Sequence, residues 1–174
     1  DSLRQQIGDR TLDVHAVNYA ASRDFLRAVD GANDASAYVQ QLSQLCPASA
    51  AKRHREGCYA WIPLGTLEAI KARVDISISP NAKNVELYFF SAPGAKSKFK
   101  LYLHSSDSRC VFMSSGQISL TVKMAGGKNF LCVGESCSIA GAVIAMIDTK
   151  IIIGADGMWS DGIQVQGTDS HGIV

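Results

Sequence analysis

The stretch Ile151-Ile-Ile-Gly-Ala-Asp-Gly-Met-Trp-Ser-Asp-Gly-Ile-Gln-Val-Gln-Gly-Thr-Asp-Ser-His171 decides the fold. Apolar residues recur at every sixth position, Ile153, Trp159 and Val165, and the next such step lands on the polar His171. Gly157 and Ile163 follow the first two of these at a spacing of four. A period of six fits neither an amphipathic helix, near 3.6, nor a half-buried strand, near 2. It fits a coil whose straight segments each point one residue inward before turning a corner.

Working back along the chain, the pattern returns at a step of about 20 residues. Val111-Phe-Met113, Leu131-Cys-Val133 and Ile151-Ile-Ile153 each place apolar residues first and third, and small or turn-forming residues follow. Val133 leads by six to Ile139, with Cys137 and Val143 at the four-residue offset, and Ile78-Ser-Pro-Asn-Ala82 fits the same mould. Three hexads make a triangular turn of about 18 residues, and extra residues bulge at a corner. Lys123 to Phe130, with Gly126-Gly127, reads as one corner loop. Cys132 and Cys137 then read as small buried hydrophobes rather than reactive thiols.

Residues 1–47 follow other rules. Leu12 to Tyr19 alternates as a strand, Ser22 to Val29 and Asn33 to Leu45 carry helical spacing, and Cys46-Pro47 ends the second helix. This is a β-α arrangement. Residues 48–73 read as a junction, with a solvated basic run Lys52-Arg-His-Arg55 and a short helix at Thr66 to Arg73. The repeat region occupies 74–174. The expected fold is mainly β, a parallel β-helix preceded by a short α/β N-terminal segment.

Composition narrows the partners. The 174 residues carry Lys+Arg 17 against Asp+Glu 16, a net charge of +1, so no footprint for nucleic acid or an anionic membrane is visible. The apolar run Ala142 to Ile147 is far short of the roughly 20 residues of a membrane span. Five cysteines without zinc-type spacing give no support for a metal. The chain opens at Asp1 without a targeting pattern, so a leader is expected to be removed or absent.

Residues 74–174, through Ile153-Gly-Ala-Asp-Gly-Met-Trp-Ser-Asp-Gly-Ile163 and Thr168-Asp-Ser-His171, resemble the left-handed parallel β-helix O-acetyltransferases with hexapeptide repeats. That resemblance implies left-handed coils and acetyl transfer from acetyl-CoA, as co-substrate, to a hydroxyl of a sugar or polysaccharide. It implies a homotrimer. His171 matches the family's general base, suited to the task because an imidazole with pKa near 6.5 can take a proton from an alcohol at neutral pH. Asp169 is the candidate to orient the ring. Trp159 reads as a core filler by its hexad position and as a substrate-binding candidate by its place in the motif; no cofactor-binding residue is identified. In the family further coils follow the histidine and build the CoA cleft, whereas this sequence stops at Val174, so the expectation is a β-helix truncated at its C-terminal end, inactive as a fragment if that cleft is missing.

Residues 11–47 resemble the cutinase-like serine esterases, through Val14-His-Ala-Val-Asn-Tyr-Ala-Ala-Ser22, Arg27-Ala-Val-Asp-Gly-Ala-Asn-Asp-Ala35 and Cys46-Pro47. In that family a Gly-x-Ser-x-Gly elbow follows and exposes the nucleophile. None occurs in these 174 residues, and Gly134-Glu-Ser-Cys-Ser138, the nearest approach, falls inside a coil. His15 reads as a strand-face residue rather than a triad member. The alternative to acyl transfer is therefore an esterase remnant lacking its nucleophile, or a non-catalytic chimeric scaffold. Localisation follows the reading: cytoplasmic for the transferase, secreted for the esterase.

Overall fold

The structure, a computed structural model, describes residues 39–41, 57–62, 65–114 and 116–167. Their elements are β1 (Val39–Gln41), β2 (Tyr59–Trp61), α1 (Leu67–Lys71), β3 (Val74–Ile78), β4 (Val85–Phe89), β5 (Lys98–Ser106), β6 (Ser108–Phe112), β7 (Ile118–Gly127), β8 (Phe130–Val133), β9 (Ser138–Ile147), β10 (Lys150–Ile153) and β11 (Met158–Gly167). The chain passes alternately between two sheets. One is ordered β1-β2-β4-β6-β8-β10, the other β11-β9-β7-β5-β3. Apart from the antiparallel β1–β2 pair, every pairing is parallel, which makes a β-solenoid. Among the described residues no helix is long and apolar enough to cross a membrane.

Alternation explains the strands. In β5, Phe99, Leu101 and Leu103 are buried while Lys98, Lys100, Tyr102 and His104 face out. Parallel register then lays like upon like, so Ile76, Leu101, Val122, Ile144 and Val165 form one inward column, with neighbouring strands about 4.8 Å apart. The opposite sheet answers with Leu87, Cys110, Leu131 and Ile151. Phe89 stacks on Phe112 at 5.0 Å, and Phe99 meets Phe112 edge-on across the interior at 5.0 Å. Each fully buried Leu, Ile or Phe contributes about 1.5–3 kcal/mol.

The corners are built from polar residues in the left-handed backbone region. Asn84, Asp107, Lys128 and Asp148 have φ of 52, 49, 56 and 50°, in equivalent places in successive turns. Asn84 Nδ2 donates to Asp107 Oδ1 at 2.8 Å, and the Gly127 N–H donates to Asp148 Oδ1 at 2.6 Å. Beside them, Ser108 Oγ accepts from the Asn129 N–H and Asn129 Oδ1 accepts from the Thr149 N–H. Backbone groups freed by each turn are thus satisfied by side chains of adjacent turns.

Several expectations need correction. Cys110 pairs with Leu131 and Phe112 with Val133, so Cys110 and Phe112 are the inward residues of β6, not Val111 and Met113. The turn between β6 and β8 is one residue longer than that between β8 and β10, where Leu131 does stack on Ile151. Ala142, not Val143, is the inward partner after Ile139, because a bulge separates Ile118/Leu120 of β7 from the β9 register. Lys123 to Gly127 continues β7, which leaves a corner of only Lys128 and Asn129. Val39–Gln41 pairs with β2 as a strand where a helix over 33–45 was expected. The expected short helix after Thr66 is present, with Thr66 in the N-cap position. The N-terminal strand and the helix over 22–29 lie outside the described residues, as do Cys46, Asp169 and His171.

Candidate functional site

Each sheet of the described solenoid carries a concave place. The first is a shallow groove of about 220 Å³ on the outer face of the long-stranded sheet, lined by Thr121, Gly141, Val143, Asp161, Gly162 and Gln164. It exists because β11 carries an extra residue between Asp161 and Ile163 relative to β9. Gly162 takes that position with φ of 79°, a conformation that an L side chain resists. Asp161 Oδ1 accepts from the Gly162 N–H at 2.9 Å and lies over Gly141, where a Cβ would collide with it. Beyond Gly167, β11 leads into the Thr168-Asp-Ser-His171 segment.

Trp159 belongs to this last strand. It pairs in register with Ile139 and is half-buried against the core, on the inward side of β11. Its ring therefore fills the final rung rather than lining the groove. Of the three residues singled out from the sequence, it alone is among those described.

The second place is a cleft of about 460 Å³ on the outer face of the short-stranded sheet. Register explains its composition. Glu86, Arg109, Phe130 and Lys150 occupy one outward column on β4, β6, β8 and β10, and Lys128 and Asn129 form the corner beside it. Glu86 is only 3% exposed. Its Oε2 accepts from Arg109 Nε and from Tyr88 Oη, both at 2.9 Å, and the guanidinium lies 5.7 Å from the centre of the Tyr88 ring. Glu86 Oε1 has no hydrogen-bond partner. Burial pushes the Glu86 carboxyl above its ordinary value, with the Arg109 charge and the Tyr88 hydroxyl pulling it part of the way back. Sequence periodicity missed this cleft, because it sorts inward from outward positions and Glu86 sits outward yet buried.

The thiols are quiet. Cys110, Cys132 and Cys137 are buried, and desolvation raises the pKa of all three, that of Cys132 to about 12. Cys137 Sγ lies 3.1 Å from the Gly154 carbonyl oxygen, as a donor. Gly134-Glu-Ser-Cys137 is a strand-to-strand turn with Ser136 at φ of 55°, not a strand-to-helix elbow presenting a serine.

Comparison with known proteins returns esterases, over a limited length. The chain is 50% identical over 48 residues to phospholipase Culp4 of Mycobacterium tuberculosis, covering 28% of this chain and 21% of that protein. It is 48% identical over 48 residues to carboxylesterase Culp1 of Mycobacterium bovis, covering 27% and 22%. To the probable carboxylesterase Culp3 of Mycobacterium tuberculosis it is 51% identical over 47 residues, covering 27% and 18%. The chain thus spans about a fifth of the length of these curated relatives. No family model matches, and no solved structure matches.

Proposed function

We propose that the chain joins a remnant of a cutinase-like esterase, without its nucleophile, to a β-solenoid. What supports this is the likeness to Culp carboxylesterases and a phospholipase at about half identity over 47–48 residues, in a sequence with no Gly-x-Ser-x-Gly. In esterases that motif supplies the attacking serine at a strained turn, so the segment offers family-like structure without the group that attacks an ester. Hydrolysis of p-nitrophenyl butyrate should stay at the buffer rate and ignore a serine-directed phosphonate. Inhibitor-sensitive turnover overturns the reading.

The solenoid favours a second reading, acetyl transfer from acetyl-CoA to a hydroxyl of a sugar or polysaccharide. The supporting observation is that β11, which carries the inward Trp159, Ile163 and Val165 and borders the Asp161 groove, is followed in sequence by Thr168-Asp-Ser-His171. His171 would take the acceptor's proton as it attacks the thioester, and Asp169 would hold the imidazole. Calorimetry with acetyl-CoA tests it: saturable binding and acetyl transfer, the latter abolished in His171→Ala, are expected, and no binding by the unaltered chain removes the reading. A trimer by light scattering would accompany it.

A further inference from the structure

The cleft on the short-stranded sheet belongs to neither reading. It lies on the other sheet from the Asp161 groove and asks for no acetyl-CoA and no serine. Its volume of about 460 Å³ is that of a small-molecule site. Two features need a partner. Glu86 Oε1 is a buried acceptor with none, and a buried polar atom left unpaired is destabilising. Lys128 and Lys150 line the same cleft as exposed cations, and neither ammonium has an ion-pair partner among the described residues.

The charges limit what fits. Lining the cleft are Glu86 and Asp107 against Arg109, Lys128 and Lys150. Glu86 is matched by Arg109, whereas Asp107 accepts from the neutral Asn84 and keeps its charge, so the lining sums to one positive charge, on the side of the two lysines. A ligand ammonium at Glu86 would meet the Arg109 guanidinium, so the donor offered to Oε1 must be neutral, a hydroxyl. The anionic end faces two lysine ammoniums, which suits a group with several acceptor oxygens, such as a phosphate. Glu86 and Lys150 are three rungs apart on one column, about 14 Å between their Cα atoms at strand spacing, and a lysine side chain covers only part of that span, which leaves the length of a small ligand between the two ends. Phe130, between Arg109 and Lys150 on the column, supplies an apolar floor.

We propose that this cleft binds a monosaccharide phosphate, with a sugar hydroxyl donating to Glu86 Oε1 and the phosphate between Lys128 and Lys150. Glucose 6-phosphate, glucose and inorganic phosphate are the probes, titrated calorimetrically into the 174-residue chain. Glucose 6-phosphate should bind one to one and at least about tenfold more tightly than either fragment, because only it engages both ends. The double variant Lys128→Asn, Lys150→Gln should weaken it at least about tenfold while leaving the melting temperature unchanged. Asn is chosen because it tolerates the left-handed backbone at position 128. Absence of saturable binding overturns the proposal, as does equal affinity for inorganic phosphate, or a double variant that binds as well as the original. Should that variant unfold, the ranking of the three probes on the unaltered chain decides alone.

Discussion

The middle and the last turns of the solenoid are made from the same pattern and end in different states. Leu87, Cys110 and Leu131 are fully buried in the centre, as are Leu101, Val122 and Ile144 across from them. One rung further, Ile151, Trp159, Ile163 and Val165 are only partly covered, and Ile152 and Met158 stand exposed. Residue type does not explain the contrast. A rung in a solenoid draws its burial from neighbours on both sides, and among the described residues nothing stacks on β10 and β11 from beyond.

The sharpest way to break this contrast is to truncate an inward side chain in each region. Leu131→Ala leaves a cavity between two packed turns and should cost about 2–5 kcal/mol in urea unfolding. Gly134→Ala acts by crowding: its Cβ would lie 2.7 Å from the Ala155 nitrogen and the Gly154 carbonyl carbon, both backbone atoms that cannot rotate aside. A loss of about 1–3 kcal/mol is expected, measured the same way. Val165→Ala, on the last rung, should cost only about 0.5–1 kcal/mol. If Val165→Ala proves as damaging as Leu131→Ala, the last rung is covered in solution and the contrast fails.

A further test is a titration. Burial raises the thiol pKa of Cys110 and Cys132 well above the ordinary 9.0, so both folded groups keep their protons where the unfolded chain loses them. Below about pH 9 both states are protonated and stability is indifferent to pH. Above it the unfolded state binds fewer protons, and stability should fall by up to about 1.4 kcal/mol per pH unit for each thiol. Replacing both cysteines by alanine should flatten that limb of a stability-against-pH series. In the native protein at pH 8, a thiol reagent should react slowly with both and rapidly once denaturant is added.

The β-solenoid was legible in the sequence because inward positions stack in register, and a repeat of about 20 residues between β8 and β10 reports that stacking directly. Leu131 over Ile151 and Val133 over Ile153 are found where the spacing put them. The pattern slipped wherever turns changed length. Counting on from 131 back to 111 lands one residue past Cys110, and alternation in a strand turns a slip of one into the opposite face. The bulge after Ile139 had the same effect on Val143. The cleft was harder still. Glu86, Arg109 and Lys150 are far apart in sequence and share no motif, and only the parallel register sets them in one column.

That register has a kinetic side. Each parallel ladder contact joins residues about 20 to 27 apart, whichever turn is considered, so wrapping another turn means closing one more loop of similar modest size. Most all-β chains must bring distant segments together early, and they fold slowly for it. Here the search never lengthens as the structure grows. A pair of adjacent turns, once formed, presents the next stretch of chain with a finished template, so the solenoid can extend like a zipper whose teeth are all the same distance apart.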